Sequence, residues 1–106
     1  LHYYASTHNA ALRAKAEEAL SKGIALMVTE YGVCEASGDG NIDEQAARAW
    51  WDFMDRNKIS HCNWSISDKK ESASPLVPDA PAEGGWREEH ITKSGRLVRG
   101  EIRGKN

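Results

Sequence analysis

The sequence predicts an α/β fold made of three consecutive βα units on a parallel sheet, and two observations predict it. Short apolar runs alternate with helical stretches at a spacing of roughly 30 residues, the pattern of repeated βα units. The middle run, Ile24-Ala25-Leu26-Met27-Val28, is continuous in apolar residues. That suits a parallel strand covered on both faces and does not suit an antiparallel strand wetted on one.

The elements follow in order. Leu1 to Ala5 reads as the first strand, and Ser6 to Asn9 supplies turn and capping chemistry before a helix from about Ala10 to Lys22. Leu12, Ala16, Ala19 and Leu20 form the buried stripe of that helix, and Gly23 ends it as a C′ residue. The second strand spans Ile24 to Glu30. A Gly-rich stretch, Tyr31 to Asn41, leads into a helix from about Asp43 to Asn57, with Ala47, Trp50, Phe53 and Met54 at helical spacing. The third strand is Ile59 to Ile66. A polar loop, Ser67 to Lys93, holds all three prolines (Pro75, Pro78, Pro81) and Gly84-Gly85. It exceeds the roughly 12 to 15 residues usual for a structureless connection, and loops of that length are commonly functional. Behind a Ser94 cap, a last helix from about Gly95 to Arg103 presents Leu97, Val98 and Ile102.

Three βα units standing alone leave two open edges on a parallel sheet and a helix layer with little to pack on. A larger barrel removes both problems. A (β/α)8 barrel takes about 250 residues for eight units, so three units in 106 residues are in proportion for three-eighths of one.

Composition narrows the partners. With 40% hydrophobic and 28% charged residues the chain has the balance of a soluble globular protein. Its 14 basic and 16 acidic residues are interspersed, for a formal charge of -2, so there is no electrostatic footprint for nucleic acid or anionic membrane. No apolar run approaches the roughly 18 to 20 residues that span a bilayer. The start, Leu1-His2-Tyr3-Tyr4, lacks both the basic and the apolar region of a signal peptide and is not Met, as expected of a chain already cut. Cys34 and Cys62 form no metal motif and are expected as two free, buried thiols, with a disulfide between them as the alternative and the redox compartment open.

Polar residues sit where the strands end, and in barrels that rim is where active sites are built. Glu30 closes an unbroken apolar run, where a carboxylate is costly unless paired. His2 and Tyr4, two apart on the first strand, face the same side, and Asn63-Trp64-Ser65 places an aromatic at the corresponding height on the third. A carboxylate, a phenol and imidazole to orient it, and an aromatic plate make a plausible sugar site, because sugar rings offer C–H faces to aromatics and hydroxyls to polar groups.

On these residues the chain resembles a known family. Leu1-His2-Tyr3-Tyr4-Ala5, Val28-Thr29-Glu30-Tyr31-Gly32, Asn63-Trp64-Ser65 and Lys69-Lys70-Glu71-Ser72 are similar, in that order, to the sixth, seventh and eighth strand motifs of the cellulases of glycoside hydrolase family 5, and Gly84-Gly85-Trp86 to a loop of theirs. The resemblance implies that residues 1–106 are the last three βα units of a TIM barrel, the C-terminal part of a secreted retaining endo-β-1,4-glucanase acting on cellulose or a related β-glucan. It implies that Glu30 is the nucleophile, that Tyr4 donates its hydroxyl to Glu30, and that His2 belongs to the network joining nucleophile and acid/base. It further implies that Trp64 stacks on the sugar just before the cleavage point, and that Lys69 and Glu71 hydrogen-bond glucose hydroxyls farther toward the non-reducing end.

Nothing in the chain corresponds to the family's Asn-Glu acid/base motif, nor to the Arg and His of its earlier strands. Glu35 and Glu71, the nearby candidates on rim loops, have no motif support for that role. The chain alone is therefore expected to be inactive and to need the missing N-terminal barrel part. The alternative is a non-catalytic carbohydrate-binding or structural half-barrel that self-associates through its open edges. Trp50, Trp51 and Trp86 are assigned to helix packing or loop anchoring. His8, His61 and His90 share no ligand-like spacing. Asp39, Asn41 and Asp43 match three positions of a calcium loop, but Glu44 and Trp50 stand where its Gly and Glu belong. No metal or cofactor is expected.

Overall fold

The computed structural model describes residues 1–105. Its elements are β1 (His2–Tyr4), α1 (Ala10–Ser21), β2 (Met27–Gly32), α2 (Glu44–Arg56), β3 (Ser60–Asn63), a 3-10 turn (Glu88–His90) and α3 (Lys93–Gly104). The strands lie side by side in the order β1-β2-β3, and both pairs are parallel. No helix among the described residues is long and apolar enough to cross a membrane.

The core lies on one face of this sheet. Tyr3, Val28, Tyr31 and Ile59 meet Ala16, Ala47, Trp50, Trp51, Phe53, Met54 and Val98 from the helices. Trp50 is its centre: the indole stacks on Tyr3 at 4.0 Å between ring centroids, its Nε1 donates to the His8 carbonyl at 2.7 Å, and the Arg13 guanidinium lies over its ring. The other face is open, with His2, Met27, Thr29 and Cys62 exposed.

Period-2 alternation therefore holds on β1, where Tyr3 points into the core and His2 and Tyr4 away from it. On β2 it breaks. Val28 pairs with His61 and Tyr31 with Asn63, so three steps along β2 match two along β3, and the extra residue is a bulge. Val28 and Tyr31 both face the helices, and the two residues between them, Thr29 and Glu30, are both directed to the open side.

Several expectations change. The second strand is Met27–Gly32, shifted from Ile24 to Glu30, because its pairing with β1 joins His2, Tyr3 and Tyr4 to Glu30, Tyr31 and Gly32. The apolar run is not covered on both faces: Ile24 and Met27 are 54% and 48% exposed, since the helices pack on one side only. Cys34 is buried, and burial pushes its thiol up to about 11, but Cys62 is exposed on the open side of β3. The cap of α3 is Thr92, whose Oγ1 accepts from the Gly95 amide at 3.2 Å; Ser94 is buried inside the helix start and donates to the Ser74 carbonyl at 3.1 Å. The cap of α2 is Asp43, accepting from the Ala46 amide at 2.9 Å. The segment from Ser67 onward is not structureless: Leu76 bridges Ile91, and Trp86 Nε1 donates to the Pro81 carbonyl at 2.7 Å.

Candidate active site

Parallel pairing brings the ends of β1 and β2 level, with His2 opposite Glu30. The Tyr4 hydroxyl donates to Glu30 Oε1 at 2.7 Å. His2 Nδ1 lies 3.6 Å from Glu30 Oε2, and its Nε2 is 2.9 Å from Thr29 Oγ1. The bulge makes this possible, because it turns consecutive residues Thr29 and Glu30 toward the same imidazole. Gly32 makes room for the phenol: a Cβ there would collide with the Tyr4 ring.

Burial raises the Tyr4 pKa, and the hydrogen bond and negative charge of Glu30 raise it further. Tyr4 thus stays a protonated donor across the ordinary pH range. The Glu30 side chain keeps 26% exposure and that of His2 58%. The result is a carboxylate held on one oxygen by a phenol and accessible from the open face, which is the arrangement an oriented nucleophile needs.

Trp64 lies just past β3. Its amide donates to the Tyr31 carbonyl at 2.8 Å, Asn63 Nδ2 donates to the same oxygen at 3.1 Å, and the residue is 49% exposed. The Trp64–Ser65 peptide is cis. Lys69 Nζ and Glu71 Oε2 pair at 3.0 Å, with the Lys69 side chain largely exposed and that of Glu71 only 15% exposed. The negative charge of Glu71 also acts on the Tyr4 phenol. The structure therefore joins Tyr4 to Glu30 by a hydrogen bond, sets His2 3.6 Å from the same carboxylate, and pairs Lys69 with Glu71. It ties Trp64 to the rim through backbone. Glu35, exposed, accepts from the Asn41 amide at 3.2 Å.

Sequence reasoning missed Thr29, Gly32, His8 and the Asp39–Ser72 contact. His8 Nδ1 accepts from the Tyr4 amide at 2.9 Å, and a His four residues beyond a rim tyrosine in a turn was the available signal. Gly32 could have been found as the one residue type that lets a ring lie on a neighbouring strand.

The family model described as Cellulase (glycosyl hydrolase family 5) matches residues 1–70. Endoglucanase A of Evansella cellulosilytica is 43% identical over 102 residues, covering 96% of this chain and 21% of that protein. Endoglucanase N of Pectobacterium atrosepticum is 41% identical, covering 97% of this chain and 23% of that protein. A solved structure from Cytophaga hutchinsonii superposes with a TM-score of 0.98 at 52% identity, over 99% of this chain and 34% of that one. A variant catalytic domain of Thermobifida fusca endoglucanase Cel5A, solved in complex with cellotetraose, has a TM-score of 0.89 at 31% identity, over 97% of this chain and 34% of that one.

The two curated relatives and the Thermobifida fusca structure are endoglucanases by name. The chain belongs to glycosyl hydrolase family 5. It spans about a fifth of the length of the curated relatives and about a third of the solved chains it matches.

Proposed function

We propose that residues 1–106 are the last three βα units of a (β/α)8-barrel endo-β-1,4-glucanase that hydrolyses cellulose or a related β-glucan with retention, and that Glu30 is its nucleophile. The observation that carries this reading is the 2.7 Å bond from the Tyr4 hydroxyl to Glu30 at the rim of a parallel sheet. Tyr4 holds Oε1 and leaves Oε2 to attack the anomeric carbon. The bond to the leaving sugar then breaks, its oxygen takes a proton from an acid/base carboxyl, and a covalent glycosyl-enzyme remains for water to hydrolyse. That second carboxyl must stand about 5 to 5.5 Å from Glu30, and we assign it to a barrel strand outside this chain. His2 belongs to the network between the two carboxyls. Trp64 carries the sugar just before the cleavage point, and Lys69 and Glu71 bind glucose hydroxyls beyond it.

The open surfaces support a partial barrel. Ile24, Met27 and Ile66 are exposed, and a cavity of about 540 Å³ between β3 and α3 is lined by Ile66, Leu76, Trp86, Ile91 and Val98. The first five βα units would cover them. A polymeric substrate is met outside the cell, so the enzyme is proposed to be secreted.

The test joins the chain to the first five βα units and assays soluble carboxymethylcellulose beside the chain alone. The joined protein should turn over and the chain alone should not. An activated 2-deoxy-2-fluoro cellobioside should label Glu30 in the joined protein, as read by peptide mass. A label on another residue overturns the assignment.

A further inference from the structure

We propose that Asp39 is a positioning residue for distal sugar binding, clamping the turn that carries Lys69 and Glu71 at a fixed place relative to Glu30. The inference rests on the function proposed above. The segments after β2 and after β3 have no regular structure at this point, so their relative position depends on bonds between them. Asp39 Oδ1 accepts from the Ser72 amide at 2.9 Å and from its hydroxyl at 3.0 Å; that hydroxyl also reaches the Gly40 carbonyl at 2.7 Å, and the Ala73 amide donates to the Gly38 carbonyl at 2.9 Å. Three consecutive residues of one loop thus hold two consecutive residues of the other.

Glu71 lies directly over this clamp. A Cβ at Gly38, whose φ is +86°, would meet the Glu71 carboxylate at 3.5 Å. The donors from Ser72 hold the Asp39 carboxyl below the usual carboxylate range, so it is ionised at neutral pH and its bonds are charge-assisted. Behind the turn, Thr92 and Ser94 both donate to the Ser74 carbonyl, at 2.6 and 3.1 Å. On the β1 side, the Ser6 hydroxyl donates to the Asn41 carbonyl at 2.7 Å and the Ala36 amide to Thr7 Oγ1 at 2.9 Å. Residues 36–41 therefore join all three rim loops, and Asp39 is the side chain that ties in the one bearing Glu71.

In the enzyme that includes this chain, Asp39→Ala should raise KM about ten-fold for cello-oligosaccharides long enough to reach Glu71, with kcat changed less than about two-fold. Asp39→Asn, which keeps an Oδ1 acceptor, should recover most of the loss. In a background with both Lys69→Ala and Glu71→Ala, Asp39→Ala should add nothing, since the clamp acts through those two side chains. If Asp39→Ala fails to fold, Ser72→Ala carries the same test with a smaller KM rise of about three-fold. Two results overturn the clamp: a fall in kcat equal for all substrate lengths, or a KM rise as large without Lys69 and Glu71 as with them. An unsubstituted enzyme inactive on every cello-oligosaccharide overturns the proposed function and the clamp with it, so the two failures are distinguishable.

Discussion

The two faces of the sheet are built from the same three strands and obey different rules. On the helix side, Tyr3, Val28, Tyr31 and Ile59 are almost wholly buried and packed against four aromatic or large apolar side chains of α2. On the open side, the Tyr4 hydroxyl donates to Glu30 and His2 is hydrogen-bonded to Thr29, with little packing around them. Shape fixes the first face and polar pairing fixes the second. The boundary between them is a single bulge in β2.

Substitutions on the two faces should fail differently. The largest effect expected is on the open side: in the joined enzyme, Glu30→Gln should cut kcat about 10⁴-fold, near 5.5 kcal/mol of barrel-rim chemistry, and leave the unfolding free energy within about 0.5 kcal/mol. Denaturant titration beside steady-state rates checks both halves. On the covered side, Trp50→Ala should cost about 3–5 kcal/mol of stability through the cavity it leaves, with the surviving folded molecules retaining their rate. A matching loss of rate per folded molecule would break the distinction between the faces.

Tyr4→Phe should act between these, lowering kcat/KM about ten- to thirty-fold by removing one charge-assisted bond to Glu30, the proposed nucleophile, roughly 1.5–2 kcal/mol. The smallest effect concerns pH. Tyr3, Tyr4 and Tyr31, the only tyrosines in the chain, all have their pKa raised in the folded state, each first by burial. A raised folded value means that the unfolded chain loses protons first. Stability from these groups should be fully present below about pH 10, the ordinary tyrosine value, and decline above it. Unfolding midpoints measured against pH should show this alkaline fall, and Tyr4→Phe should make it shallower.

Much of this was legible in the sequence. Three βα units, the helix of Trp50, Phe53 and Met54, and the meeting of His2, Tyr4 and Glu30 follow from periodicity and from polar residues at strand ends. The bulge was not legible, since strict alternation puts Val28 and Glu30 on one face, and only pairing with β3 separates them. The run Ile24 to Val28 misled for a related reason: continuous hydrophobicity marks what a strand prefers to touch, and says nothing of what lies over it in this chain. Thr92 was passed over as a cap because Ser94 offers the same chemistry two residues on, and the choice depends on the Ser74 carbonyl, twenty residues earlier. The cis Trp64–Ser65 peptide has no signal in residue type.

Trp50 carries a consequence for any recombination of this chain with its relatives. The indole belongs to the second βα unit, but its stacking partner Tyr3, its carbonyl acceptor on His8 and the cation above it, Arg13, all come from the first. The units are therefore not interchangeable cassettes. A chimaera with its crossover between Gly23 and Met27 separates one ring from three partners, and the donor of one half must bring a compatible surface for the other.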